Sequence, residues 1–231
     1  MASKKKKTEQ GDENLVAVED ALSKTEQFIE DNKNILLYSV IGIAVLVLAI
    51  MGYQRYIAMP NERQAQEEMF MAEQYFGKDS LDLALHGDGS YMGFIDITDE
   101  YGNTKSGNLA HYYAGVSFLK LGQHDKAIEH LKKFKSDDEI VKPMALGNIA
   151  NAYMEKGDLE EAVKYYKKAA KASENDFTSA EHLFRLGLTY ELLEDYEEAL
   201  DTFKTIDKEY PKSPVSENID KYIARAQAKI S

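Results

Sequence analysis

The chain has 231 residues and a formal net charge of −12, from 28 Lys and Arg against 40 Asp and Glu. It contains no cysteine, which excludes disulfides, thiolate metal sites and thiol catalysis. The acidic excess repels phosphate backbones and argues against nucleic acid as a partner.

Residues 1–34 open with Lys4-Lys5-Lys6-Lys7 and then turn acidic. Leu15, Val18, Leu22 and Ile29 recur there at three-, four- and seven-residue steps, one stripe of a helix. Such a stripe suits a membrane surface or a partner helix, and equally a short surface helix leading into the next segment. Residues 35–53, from Ile35 to Tyr53, carry no charge. As a helix they span roughly 28 Å at 1.5 Å per residue, close to the thickness of a bilayer's hydrocarbon core. The run is longer than the apolar core of a signal peptide. Beyond it, Tyr56 stands where cleavage after Ala58 would need a small residue. The segment therefore predicts a retained, single transmembrane helix. Counted over the whole short tail, the lysine run places residues 1–34 in the cytoplasm and the larger domain on the far side of the membrane.

Residues 54–107 predict a linker helix and a diverged helical hairpin. Its first helix is expected over 61–76, with Ala65, Met69, Ala72 and Phe76 on one face, and its second over 90–101. A glycine-containing insert, Gly77–Gly89, separates the two. The stretch Phe94-Ile95-Asp96-Ile97-Thr98-Asp99-Glu100-Tyr101 matches Phe203-Lys204-Thr205-Ile206-Asp207-Lys208-Glu209-Tyr210 at both apolar contacts and at the Glu-Tyr ending. The early segment thus reads as a copy of a later one.

Residues 108–231 contain three aligned segments and a closing helix. The small residues Gly115, Ala150 and Gly187 recur after 35 and then 37 residues. Each is followed by an aromatic, Phe118, Tyr153 or Tyr190, and then by Ala127, Ala162 or Ala199. A small residue lets two helices approach closely, and the aromatic fills the space beside it. Gly122 and Gly157 are placed to take φ > 0 and end a first helix. In the third segment Glu194 occupies that place. Pro211 stops the last segment, and a closing helix is expected over about 216–230 with Ile219, Tyr222, Ile223 and Ala226 inward.

Motifs that carry chemistry are missing. The sequence has no phosphate-cradling glycine loop, HExxH, G-x-S-x-G or calcium loop. His86, His111, His124, His130 and His182 lack metal-ligand spacing and read as surface or turn residues. The pairs Glu160-Glu161 and Glu197-Glu198 read as exposed helix positions, not an acid–base dyad. No catalytic residue, cofactor or metal is expected. The loop His86-Gly87-Asp88-Gly89 reads first as a turn and second as a small-ligand site.

The spacing of small residue, aromatic, turn glycine and alanine over residues 108–211 resembles the tetratricopeptide repeat, a helix–turn–helix unit of about 34 residues. The tryptophan expected early in each first helix is replaced by His111, Leu146 and Leu183. The resemblance implies an all-α solenoid with a C-terminal capping helix, whose first helices line a concave groove. Placed on those helices, the groove candidates are Leu109, Tyr112, Val116, Leu119, Met144, Asn148, Asn151, Met154, Phe184, Arg185 and Leu188. This lining suits an extended apolar peptide or an amphipathic helix. The Lys and Asn pairs with which some members grip a carboxylate terminus are not carried over.

A tail, a single span and an acidic tetratricopeptide domain together resemble the YfgM-type ancillary Sec translocon subunits of bacterial inner membranes. That resemblance implies a non-enzymatic scaffold with a periplasmic repeat domain. Its partners would be translocon subunits, a membrane-anchored chaperone or unfolded clients. A scaffold for another envelope complex, or a sensor binding a small ligand at Gly77–Gly89, are the alternatives.

Overall fold

The computed structural model describes residue 23, residues 26–172, residue 175 and residues 177–230, and divides the chain into two units, 1–59 and 60–231. The Lys4–Lys7 run, the tail positions Leu15, Val18 and Leu22, and Glu174 lie outside the described residues. Among those described, every regular element is helical.

In the first unit, α1 runs Lys33–Tyr53 and is followed by a π-helical turn, Gln54–Ala58. No residue of α1 is buried. Its apolar side chains point outward on every side, an arrangement that water does not favour. Among the described residues, one helix is long and apolar enough to cross a membrane, and it contains this segment.

The second unit is a series of helical hairpins. Helix α2 is Met59–Gly77, α3 Leu81–His86 and α4 Phe94–Tyr101. Then come α5 Lys105–Lys120, α6 His124–Lys133, α7 Val141–Lys156, α8 Leu159–Lys171, α9 Thr178–Leu192 and α10 Tyr196–Glu209. A 3-10 turn, Pro214–Asn218, leads into α11, Ile219–Ile230. In α2, Ala65, Met69 and Ala72 are buried on the face expected to be apolar. The insert is not a simple loop. Leu81, Ala84 and Leu85 are buried, so the apolar spacing within it winds α3 against the core. As a result α4 starts at Phe94, later than the periodicity suggests, because residues 90–93 serve the turn.

Packing follows the small residues. A Cβ on Gly115 would lie 2.5 Å from Cγ of Leu131, and one on Gly187 would lie 2.4 Å from Cε1 of Phe203. Both are shorter than any van der Waals contact, so glycine is what allows α5 to seat on α6 and α9 on α10. Ala127, Ala162 and Ala199 are fully buried on the second helices. Gly122 and Gly157 take φ of +71° and +78° and reverse the chain. Glu194 adopts the same left-handed conformation at φ +60° without glycine's freedom. Two contiguous cores result, one from Ala65 to Ala152 and one from Ala150 to Ala226.

Helix starts are set locally. The Thr104 hydroxyl accepts from Gly107 N–H at 2.9 Å, and the Asp195 carboxylate from Glu198 N–H at 3.3 Å. Glu62 on α2 performs a longer-range version. Its carboxylate accepts from Lys105 N–H at 2.7 Å and from the Ser106 hydroxyl at 2.8 Å, capping α5 from another helix. Burial raises the Glu62 pKa, but the bonds from Ser106, Lys105 and Gln66 outweigh it and hold the carboxyl below its ordinary value.

Candidate functional site

The groove candidates fall on three successive first helices, α5, α7 and α9. Leu109, Val116 and Leu119 of α5 are half-buried against the first core, and Leu188 of α9 against the second. Tyr112 lies 5.8 Å from the Tyr113 ring and 5.4 Å from that of Phe134. The Met154 sulfur lies 3.4 Å from the Thr189 hydroxyl, a contact between α7 and α9; that hydroxyl donates to the Arg185 carbonyl at 2.8 Å.

The polar candidates form a connected ladder. The Asn148 side chain meets the Tyr112 hydroxyl. Asn151 donates to Asn148 Oδ1 at 3.4 Å, and its own Oδ1 accepts from the buried Tyr166 hydroxyl at 2.6 Å. Arg185 also approaches the Tyr166 hydroxyl, while its Nε donates to Glu181 at 2.8 Å. Burial pushes the Tyr112 and Tyr166 phenols up, and the protonated Tyr166 hydroxyl is the donor to Asn151. The ladder runs from the first repeat to the third and engages both asparagine side chains within the protein.

Phe184 is covered. Tyr222 of α11 meets it edge-on at 4.8 Å and Phe203 lies 6.2 Å away, so the closing helix occupies its face. What remains open is Met144, 42% exposed, with Arg185. Sequence periodicity missed two neighbours of this edge, Ile140 and Phe177, which are 57% and 72% exposed. They precede α7 and α9 respectively, and Asn175 Nδ2 reaches the Glu139 carbonyl at 3.5 Å, bringing the two loops together. Their signal was available: large apolar residues just ahead of a helix, outside its buried stripe.

The histidines require a correction. His182 is 8% exposed and packs on Gly147, where a Cβ would lie 2.3 Å from its Cε1. It wedges repeat against repeat, a contact that periodicity within one repeat does not reveal. His111 and His130 sit half-buried with their Nδ1 atoms 3.2 Å apart, bridging α5 and α6. Burial, then the nearby His130 and Lys133, push His111 down to about 4. Burial does the same for His182. Among the described residues no group of three or more His, Asp or Glu is arranged to hold a metal.

Asp88 in the insert is committed to its own turn. It accepts from the Tyr75 hydroxyl at 2.7 Å and from the N–H groups of Ser90 and Tyr91 at 2.8 and 2.9 Å. Those bonds, the Tyr75 one foremost, lower its pKa. The small-ligand alternative thus finds its key carboxylate engaged in holding the loop.

One tetratricopeptide-repeat family model matches residues 142–206 and a second matches residues 109–138. Both stretches match the tetratricopeptide repeat. A curated relative, tetratricopeptide repeat protein 37 of Xenopus laevis, is 26% identical over 180 residues, which is 77% of this chain and 11% of that protein. The chain therefore spans about a tenth of that relative. Among solved structures, a putative kinesin light chain of Podosopora anserina with nearly identical TPR-like repeats aligns over 72% of this chain at TM-score 0.55 and 13% identity, covering 87% of that chain. A point variant of the same protein aligns at TM-score 0.55 and 14% identity, over 72% of this chain and 86% of its own. At such identity the likeness is one of fold. Tetratricopeptide repeats are protein–protein interaction scaffolds and typically carry no catalysis.

Proposed function

We propose that this protein is a membrane-anchored tetratricopeptide scaffold of the bacterial inner membrane. In this reading residues 35–53 span the bilayer, residues 1–34 lie in the cytoplasm and the repeats lie in the periplasm. The repeats hold other polypeptides at the exit of the secretion channel: translocon subunits, a membrane-anchored chaperone or unfolded clients. The observation that carries the reading is α1, whose uncharged residues are unburied throughout and precede, in sequence, stretches that match a repeat used for protein contacts. The open edge of Met144, Ile140 and Phe177 supports it, being apolar where an extended apolar segment or amphipathic helix would lie.

The test places a photo-crosslinking amino acid at Met144, with Phe184 as the covered control, in the full chain in bacterial membranes. Adducts to translocon or chaperone proteins at Met144 but not at Phe184 support the reading. Adducts only to other envelope machinery replace the partner. Recovery of the full chain in the aqueous fraction overturns the anchor. Reporters fused after Ser231 test orientation, and activity of a cytoplasm-only reporter overturns the periplasmic placement.

A further inference from the structure

Charge is unevenly distributed along the second unit. Residues 120–172 hold eleven Lys against nine Asp and Glu, whereas residues 173–231 hold seven basic against thirteen acidic residues. Residues 54–119 hold four basic against ten acidic residues. The middle of the domain is thus the one stretch where basic residues outnumber acidic ones.

Within that stretch the lysines converge. The Tyr153 and Tyr165 rings stack at 5.5 Å between α7 and α8. Lys132 of α6 donates to the Tyr153 hydroxyl at 3.0 Å and lies 5.4 and 5.5 Å from the two ring centroids. Lys168 sits 4.7 Å over Tyr165, and Lys156 is 5.9 Å from Tyr153. Lys156 is engaged with Asp125 at 2.6 Å, and Lys164 with Glu161. Lys132 and Lys168 make no ion pair with any described carboxylate, and both are exposed. Glu161 is the carboxylate whose field reaches both of them, and its hydrogen bond is to Lys164. Two unpaired ammonium groups are therefore held at the edges of one stacked tyrosine pair. Neither closes a direct ion pair, and the rings hold both ammonium groups on one patch.

The geometry points to this Lys132–Tyr153–Tyr165–Lys168 cluster as a docking surface for an acidic polypeptide segment of a partner protein. Carboxylates arriving there accept from ammonium groups already placed by the rings and free of a direct ion pair. The surface is made by α6, α8 and the C-terminal end of α7, and none of its residues is a groove candidate. It adds a second contact to the scaffold reading and rests on that reading only in that the occupant is a polypeptide. Failure of the Met144 cross-link leaves it standing.

The experiment titrates the detergent-solubilised full chain into a fluorescein-labelled deca-glutamate peptide and reads anisotropy at low and at physiological salt. Binding that weakens with salt is expected. It should fall roughly tenfold in Lys132→Glu/Lys168→Glu, as two surface ion pairs of about 0.7 kcal/mol each are lost. The milder Lys132→Gln/Lys168→Gln is expected to weaken binding less while keeping the native circular dichroism. Lys204→Glu/Lys208→Glu changes net charge equally on α10 and should leave binding unaltered. No binding, or equal loss in the α10 control, overturns the proposal. Displacement of the peptide by monomeric dihexanoyl phosphatidylglycerol at lower concentration than by free deca-glutamate also overturns it, in favour of a lipid headgroup.

Discussion

In the regular repeats, neighbouring helices meet through side chains too small to hold them apart. Gly115 lies under Leu131, Gly187 under Phe203, and Ala127, Ala162 and Ala199 are buried to zero exposure. In α2 to α4 the ties are largely polar and individually placed. Glu62 caps α5 across 43 residues of sequence, and Asp88 gathers Tyr75, Ser90 and Tyr91 into one turn. The first kind of contact depends on volume and repeats with the sequence. The second depends on single hydrogen bonds and permits an insertion such as α3. The two regions should therefore fail under different insults.

The largest expected effect is steric. Gly187→Val forces its branches into the Phe203 ring and should cost about 3 kcal/mol of stability. Urea unfolding should show the third repeat and α11 lost first. A smaller effect tests the polar region. Glu62→Ala strands Lys105 N–H and the Ser106 hydroxyl and should cost about 1.5 kcal/mol. Hydrogen exchange should rise at the start of α5 while α9 and α10 stay protected.

Acid separates the regions further. His111 and His182 are neutral in the folded state down to about 4, below their ordinary 6.5. Unfolding therefore takes up protons, and their contribution is full above pH 6.5 and lost as the pH falls towards 4. The Glu62 carboxyl is also lowered, from 4.5, so its contribution is complete above that value and disappears only below it. Between pH 6.5 and 5 the regular repeats should loosen while the α2–α5 cap holds. His111→Gln should flatten the slope of melting temperature against pH in that window, and an unchanged slope would remove the histidine pair as its source.

The smallest effect is a gain. Glu194→Gly relieves a left-handed residue at the turn between α9 and α10, and should raise stability by about 1 kcal/mol. A loss there would show that Glu194 is held by something other than the turn.

Much of the fold was legible in the chain. The recurrence of Gly115, Ala150 and Gly187 with their aromatic and alanine partners records contacts within one helical hairpin, and the tetratricopeptide resemblance it carries implied the all-α solenoid. The inward face of α11 was legible for the same reason: Ile219 and Ala226 keep one stripe. The candidate groove was less so. Phe184 sits at a first-helix position like the others, yet Tyr222 from a helix 38 residues away lies against it. Asn148 and Asn151 looked like free polar groups and prove to be rungs between Tyr112 and Tyr166.

The sequence alone determined the helical periodicity, the hairpin repeat and the uncharged nineteen-residue run, since these depend on residues near one another along the chain. Only the tertiary structure decided that His182 would wedge against Gly147, that Glu62 would cap α5, and that Lys132 and Lys168 would share one tyrosine stack. Those contacts join residues from different helices, and stacking the helices is the step that sets their distances.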